Sequence, residues 1–261
     1  MQYQAPAQWL SDIWSQSPFT QLRTLDFAGL NHFPSLSWLE RKIGVGPVGF
    51  ASQQELDSSG LYYEEFIYTH KRVPTRADNW HDLFNAAIWA QFPQSKTLLN
   101  QQHMQDIAEH GLNPRTPRRN RITQFDECGV VLAVANPDLA EKLAAHQWCE
   151  VFVERRAAWG NQIGAFVFGH ANFEMLLNPF IGLTGKWLPV AVDDCFFART
   201  LTEQFAVLDK ALAQQINDNV FAHKGSMHPL PLLGVPGWYA ENKNAGFHAN
   251  PAYFMPKRVG R

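Results

Sequence analysis

With 261 residues, a net charge of −2, 46% hydrophobic and 18% charged residues, the chain suits one large domain or two small ones. That balance argues against broad attraction to nucleic acid or anionic membrane, and no run approaches the ~20 apolar residues of a membrane span. Three cysteines, Cys128, Cys149 and Cys195, show no CxxC spacing. They argue against a disulfide framework or zinc ribbon and fit a reducing cytoplasm.

The N-terminus has neither a basic nor a continuous apolar stretch, so no signal peptide is expected. Residues 7–14 read as a short helix, and residues 19–43 as an irregular helical region broken at Gly29 and Pro34. Residues 44–49 (GVGPVG) break the chain without the glycine order of a phosphate loop. Alternation then predicts strands at residues 50–53 and 61–69, joined through residues 57–60. Thr75 is placed to cap a helix that Pro93 ends, and a second helix over 94–110 stops at Gly111.

Residues 113–121 (NPRTPRRNR) carry four arginines and no acid, and read as an exposed loop. Hairpin strands are expected at 122–125 and 130–135 around Asp126, Glu127, Cys128 and Gly129. A helix over 137–148 follows, then strands at 150–154 and 163–168, with a helix over 170–177 directly after Gly169. A strand at 187–192 and the longest amphipathic helix, 200–219, complete the core. The last residues, 225–261, are rich in Gly, Pro and aromatics and too apolar to stay solvated, so they should form an ordered strap. Strands and helices mix without strict βαβ alternation. The expectation is α+β, a single mixed domain with a central sheet flanked by helices: an N-terminal helical region over 1–48, a core over 49–224 and the strap.

The main candidate site lies in residues 75–100. At 100° per residue, Asp78, His81, Asp82 and Asn85 share one helical sector that continues into Trp89 and Phe92. A solvated face would not turn from acids, imidazole and amide into large aromatics, so the sector should line a cleft. A carboxylate beside an imidazole fixes its tautomer and raises its pKa, as a general base or metal ligand needs. The alternative is a helix N-terminus whose acids answer the macrodipole. A second candidate is His170 with Glu174, one helical turn apart, where two groups could share a metal ion. Asp126 and Glu127 are weaker, since adjacent strand residues face opposite ways. His103 reads as a surface histidine, like His32, His110, His146 and His223. Arg115, Arg118, Arg119 and Arg121, with Arg76 and Lys186, could grip phosphate or carboxylate, or simply be solvated. No GxSxG, HExxH or GxxxxGK[ST] pattern is present.

The blocks PTRADNWHDLFNAAIWAQFP, QFDECGVV, FVFGHANFE, PFIGLTGK and PLPLLGVPGWY together resemble the bacterial domain-of-unknown-function family 3025. The likeness runs from about Phe50 to the C-terminus and is most specific over NWHDLFNA. It implies a proteobacterial soluble protein and marks Asn79, His81, Asp82, Asn85, His170 and Glu174, with no established activity or cofactor attached. The functional expectation is a hydrolase-like enzyme acting by acid–base or divalent-metal chemistry on a small or phosphorylated substrate. His81, Asp82, Asp78 and Asn85 would carry the chemistry, Arg76 or Lys186 would hold an anion, and His81, His170 and Glu174 or Asp82 would hold a metal. The alternatives are a nucleotide-, RNA- or protein-binding module using the arginine segment, and a purely structural polar network.

Overall fold

A computed structural model describes residues 3–44 and 46–257. The chain is an α+β protein in which helix outweighs strand. The N-terminal segment is a run of 3-10 turns (Asp12–Ser15, Phe19–Leu25, Phe27–Gly29), not the expected helix over 7–14, followed by α1 (Leu36–Lys42). Val45, within the expected glycine break, lies outside the described residues, as do both chain ends.

β1 (Gly49–Ala51) is the first strand, but the expected strand partner is helical: α2 (Gln53–Ser59) and α3 (Tyr63–His70) follow it. Ser52 and Glu55 form a reciprocal capping box, and this local hydrogen bonding starts α2 where strand alternation was read. In α3 only Phe66 and Ile67 are buried, so a pattern resembling alternation is one helical stripe. β2 (Arg72–Pro74) then pairs in parallel with β1.

Helix α4 (Trp80–Gln91) is capped by Asn79, whose side chain accepts from the Asp82 amide, and not by Thr75. Pro93 opens α5 (Pro93–His110), and Asp209 caps it from afar by accepting from the Gln94 and Ser95 amides. Only the first half of the arginine segment, residues 113–116, is the expected loop; the rest is helical. Thr116 as cap and Pro117 at the first helical position start α6 (Pro117–Cys128), which replaces the expected strand at 122–125 and its hairpin.

β3 (Gly129–Val134) is fully buried and central to a four-stranded sheet of order β4-β3-β5-β6. α7 (Pro137–Ala144) leads to a π-helical turn at Glu150–Glu154, where a strand was expected. β4 (Ile163–Val167) runs antiparallel to β3, with Val131 opposite Phe166. α8 (His170–Leu176) follows at once. β5 (Thr184–Ala191) is parallel to β3, with Val131 opposite Leu188, and α9 (Leu201–Asn217) carries its own capping box. The strap contributes β6 (His228–Pro231), antiparallel to β5, and then winds through 3-10 turns. One apolar cluster joins the N-terminal turns, sheet and strap. No described helix is long and apolar enough to cross a membrane.

Candidate functional site

Three helix ends build the site. The apolar side of α4 packs against the N-terminal turns, where the Trp80 ring stacks on Trp9 with centroids 5.0 Å apart. On its flank Phe84 stacks on Phe173 of α8 at 5.3 Å and 25°. Residues three apart on a helix are neighbours, so this ring pair brings His81 and His170, each one turn earlier, into edge contact with centroids 4.4 Å apart. The end of α6 is clamped to the start of α8 by backbone. The Gly129 carbonyl accepts from the amides of Phe168 and Gly169 and from the Asn172 side chain, at 3.1, 2.8 and 3.2 Å. Any Cβ at position 169 would strike the backbone of Glu127, Cys128 and Gly129, so only glycine lets the chains approach this closely.

The result is a cluster of two imidazoles and two carboxylates. His81 Nε2 and His170 Nε2 are 3.0 Å apart. Glu127 Oε2 lies 3.8 Å from the former and 3.4 Å from the latter. Glu174 Oε2 sits 2.8 Å from His81 Nδ1, where it accepts the imidazole proton and sets the tautomer. Burial lowers the His81 pKa, but the Glu174 hydrogen bond and the charges of Glu127, Glu174 and Asp82 outweigh it, so the ring is more basic than usual. His170 is almost wholly buried. Desolvation, opposed by Asp126 and aided by Lys96 and His81, brings it down to about 3, so the ring is neutral at ordinary pH. Desolvation also raises Glu127 above the usual carboxylate range.

His81, His170 and Glu127 line a polar cavity of about 300 Å³ between α3, α4, α6 and α8, with Arg76 and Arg115 also in its wall. Beneath it lies a supporting network. Lys96 donates to Asp126 and, at 3.0 Å, to Asn85, which donates to Tyr63 Oη at 2.9 Å. Burial pushes Asp126 up, but the charge and hydrogen bond of Lys96, with His170 and His103 nearby, together hold it below the usual carboxylate range. A neighbouring cavity of about 330 Å³ is mainly apolar, with Phe33, Leu36, Leu39 and Leu83 in its wall. Its only charged groups are Arg76 and Asp78, so it holds no comparable constellation.

Sequence-predicted residues divide accordingly. His81 meets His170 through Nε2 and Glu174 through Nδ1, so Glu174 stands on the opposite edge of the ring from the expected shared-metal position. Asp82 does not orient His81: it accepts from Arg76 Nε and Nη2, both at 2.9 Å, and from the Arg76 amide at 2.7 Å. Asp78 stands before the helix at φ +50°, exposed, and off the expected sector. Asn85 belongs to the support network. Lys186 sits on β5 opposite Gly129 and Pro229 and does not line the polar cavity. Asp126 and Glu127 end a helix, not a strand turn, and both line the cavity. His103, expected at the surface, is buried 4.0 Å from Glu64, and burial lowers its pKa.

The arginines are mostly spent on structure. Arg119 is completely buried and donates to the Leu112 carbonyl at 2.8 Å. Arg118 pairs with Asp106, and Arg121 donates to the carbonyls of Phe221 and Ala222. Of the four arginines of this segment, Arg115, 2.9 Å from Tyr62 Oη, is the one that reaches the cavity. Glu127 is the site residue missed as a partner of His81 and His170. The Thr116-Pro117 helix start, extended for three turns, would have placed it on a helix.

The family model described as "Protein of unknown function (DUF3025)" matches residues 48–258. No curated protein and no solved structure matches the chain.

Proposed function

The chain belongs to that family, and we propose that its polar cavity is a hydrolase-type active site that activates water against a small anionic substrate, of which a phosphorylated compound is the main case. The observation that carries this is the Glu174–His81 pair. A carboxylate 2.8 Å from Nδ1 fixes the ring so that Nε2 points to the cavity floor, where His170 and Glu127 converge. A water held there is within reach of a basic imidazole and a carboxylate. Arg76, half exposed, keeps Nη1 free of hydrogen bonds among the described residues, while Asp82 holds the rest of its fork. With Arg115 it gives the wall two guanidinium groups suited to phosphate oxygens. Three free cysteines, two of them exposed, support a reducing, cytoplasmic setting.

The test is hydrolysis by purified protein across a panel of phosphomonoesters, phosphodiesters and carboxylic esters. Activity on at least one phosphate ester is expected, reduced about 10²–10⁴-fold by His81→Gln. No turnover on the panel, or turnover that His81→Gln leaves intact, would remove the reading.

A further inference from the structure

We infer that His81 Nε2, His170 Nε2 and Glu127 Oε2 form a binding site for one divalent first-row transition-metal cation. This rests on reading the cavity as a water-activating centre and names the agent that acts there.

The geometry comes first. The three ligand atoms form a triangle with edges of 3.0, 3.4 and 3.8 Å. A point equidistant from them lies about 2.0 Å from each, the length of metal bonds to imidazole nitrogen and carboxylate oxygen. The three atoms already stand at the mutual spacing that a single cation requires.

The tautomers point the same way. Glu174 takes the Nδ1 proton of His81, leaving a lone pair on Nε2. His170 Nδ1 is buried with no hydrogen-bond partner among the described residues. When the His170 proton sits on Nδ1, His170 Nε2 presents a second lone pair. Two lone pairs 3.0 Å apart, with a carboxylate oxygen beside them, repel unless something positive lies between. A proton on one ring answers part of this. A cation satisfies all three atoms at once.

Charge is the third observation. Asp82 is paired with Arg76, and Asp126 with Lys96. Glu127 and Glu174 have no lysine or arginine at ion-pair distance among the described residues, and their only basic neighbours there are the two histidines. A dication supplies the missing balance, and Glu174 on the far nitrogen of His81 is the usual outer support of a metal-bound imidazole. Two imidazoles and one carboxylate favour Zn²⁺, Fe²⁺ or Co²⁺ over Mg²⁺ or Ca²⁺, which take oxygen ligands. Three protein ligands leave a position for water, which the cation acidifies.

Full-length protein, stripped with chelator, is titrated with Co²⁺ alone, followed by visible absorption and calorimetry, and the cobalt is displaced with Zn²⁺. About one equivalent per chain is expected, with visible bands of low-coordinate Co²⁺ that Zn²⁺ abolishes and Mg²⁺ does not. Because His170 is buried, the variants are placed at less buried positions. Glu127→Gln and His81→Gln should each weaken binding by more than about 100-fold, and Glu174→Gln by 10–100-fold, with circular dichroism unchanged. Binding no tighter than about 1 mM, or binding that both ligand variants leave intact, overturns the site. Phosphate-ester hydrolysis that persists in excess chelator overturns it while sparing the active-site reading. Tight cobalt binding that both ligand variants abolish supports it even if no ester is turned over.

Discussion

The cavity floor and the C-terminal strap both bury polar side chains, but they do so for opposite ends. In the strap, among the described residues, Asn242 and Tyr253 are neutral and turned inward onto backbone. Asn242 donates to the carbonyls of Leu233 and Val235 at 2.8 and 2.7 Å, and Tyr253 donates to the Leu183 carbonyl at 2.6 Å while accepting from the Leu233 amide at 2.9 Å. His248 lies against Phe152 and Phe254, with ring centroids 5.7 and 5.1 Å away. On the cavity floor the groups are mostly ionisable, they face one another, and they line empty space. A buried polar residue that satisfies its own backbone holds a fold together. One aimed at a second ionisable side chain across a cavity is arranged for something else.

The contrast can be broken most sharply at Lys96. Lys96→Met leaves the largely buried Asp126 without its counter-charge, and urea unfolding should show a loss of roughly 3–5 kcal/mol. A loss below about 1 kcal/mol would mean that water in the cavity screens Asp126 well enough to replace Lys96. In the strap, Tyr253→Phe removes two neutral hydrogen bonds and strands the Leu233 amide, for an expected loss of about 1–3 kcal/mol in the same measurement. If it matched Lys96→Met, charge would not be what separates the two regions. The smallest effect is at His248. Desolvation holds its pKa below the ordinary value of 6.5, so the folded state keeps the ring neutral. As pH falls through 6.5 the unfolded chain takes up that proton first, and stability drops until the folded ring titrates too. His248→Phe should flatten the stability profile below about pH 6.5 and leave it unchanged at pH 8. An unaltered acid slope would show that the strap does not sense protonation there.

Much of this arrangement is readable in the chain, and the exceptions have local causes. α5, α9, β3 and β4 follow from long periodic runs, caps and a continuous apolar stretch. Residues 61–69 misled because aromatic and acidic residues mimic strand alternation over one short helix. The arginine segment misled because charge reads as exposure, yet Arg119 is buried by carbonyls that only the folded chain supplies. His81 and His170 were recognisable as candidates from their helical neighbours. The partner of each was not. Glu174, on the same helix face as His170, serves His81 instead, and Asp82, next to His81, serves Arg76. Spacing along a helix tells which side chains share a face, while tertiary packing decides which of them touch.

The close backbone contact at Gly169 has one further consequence. His81, Glu127 and His170 come from three helices with whole strands and helices between them, so no excised peptide can reproduce their convergence. Any species that binds there binds only the assembled chain, and its occupancy raises the melting temperature in proportion to the logarithm of its concentration. The cluster is thereby a built-in gauge of nativeness: a nick or a strained hinge anywhere between α4 and α8 should be felt first as lost affinity, before circular dichroism changes.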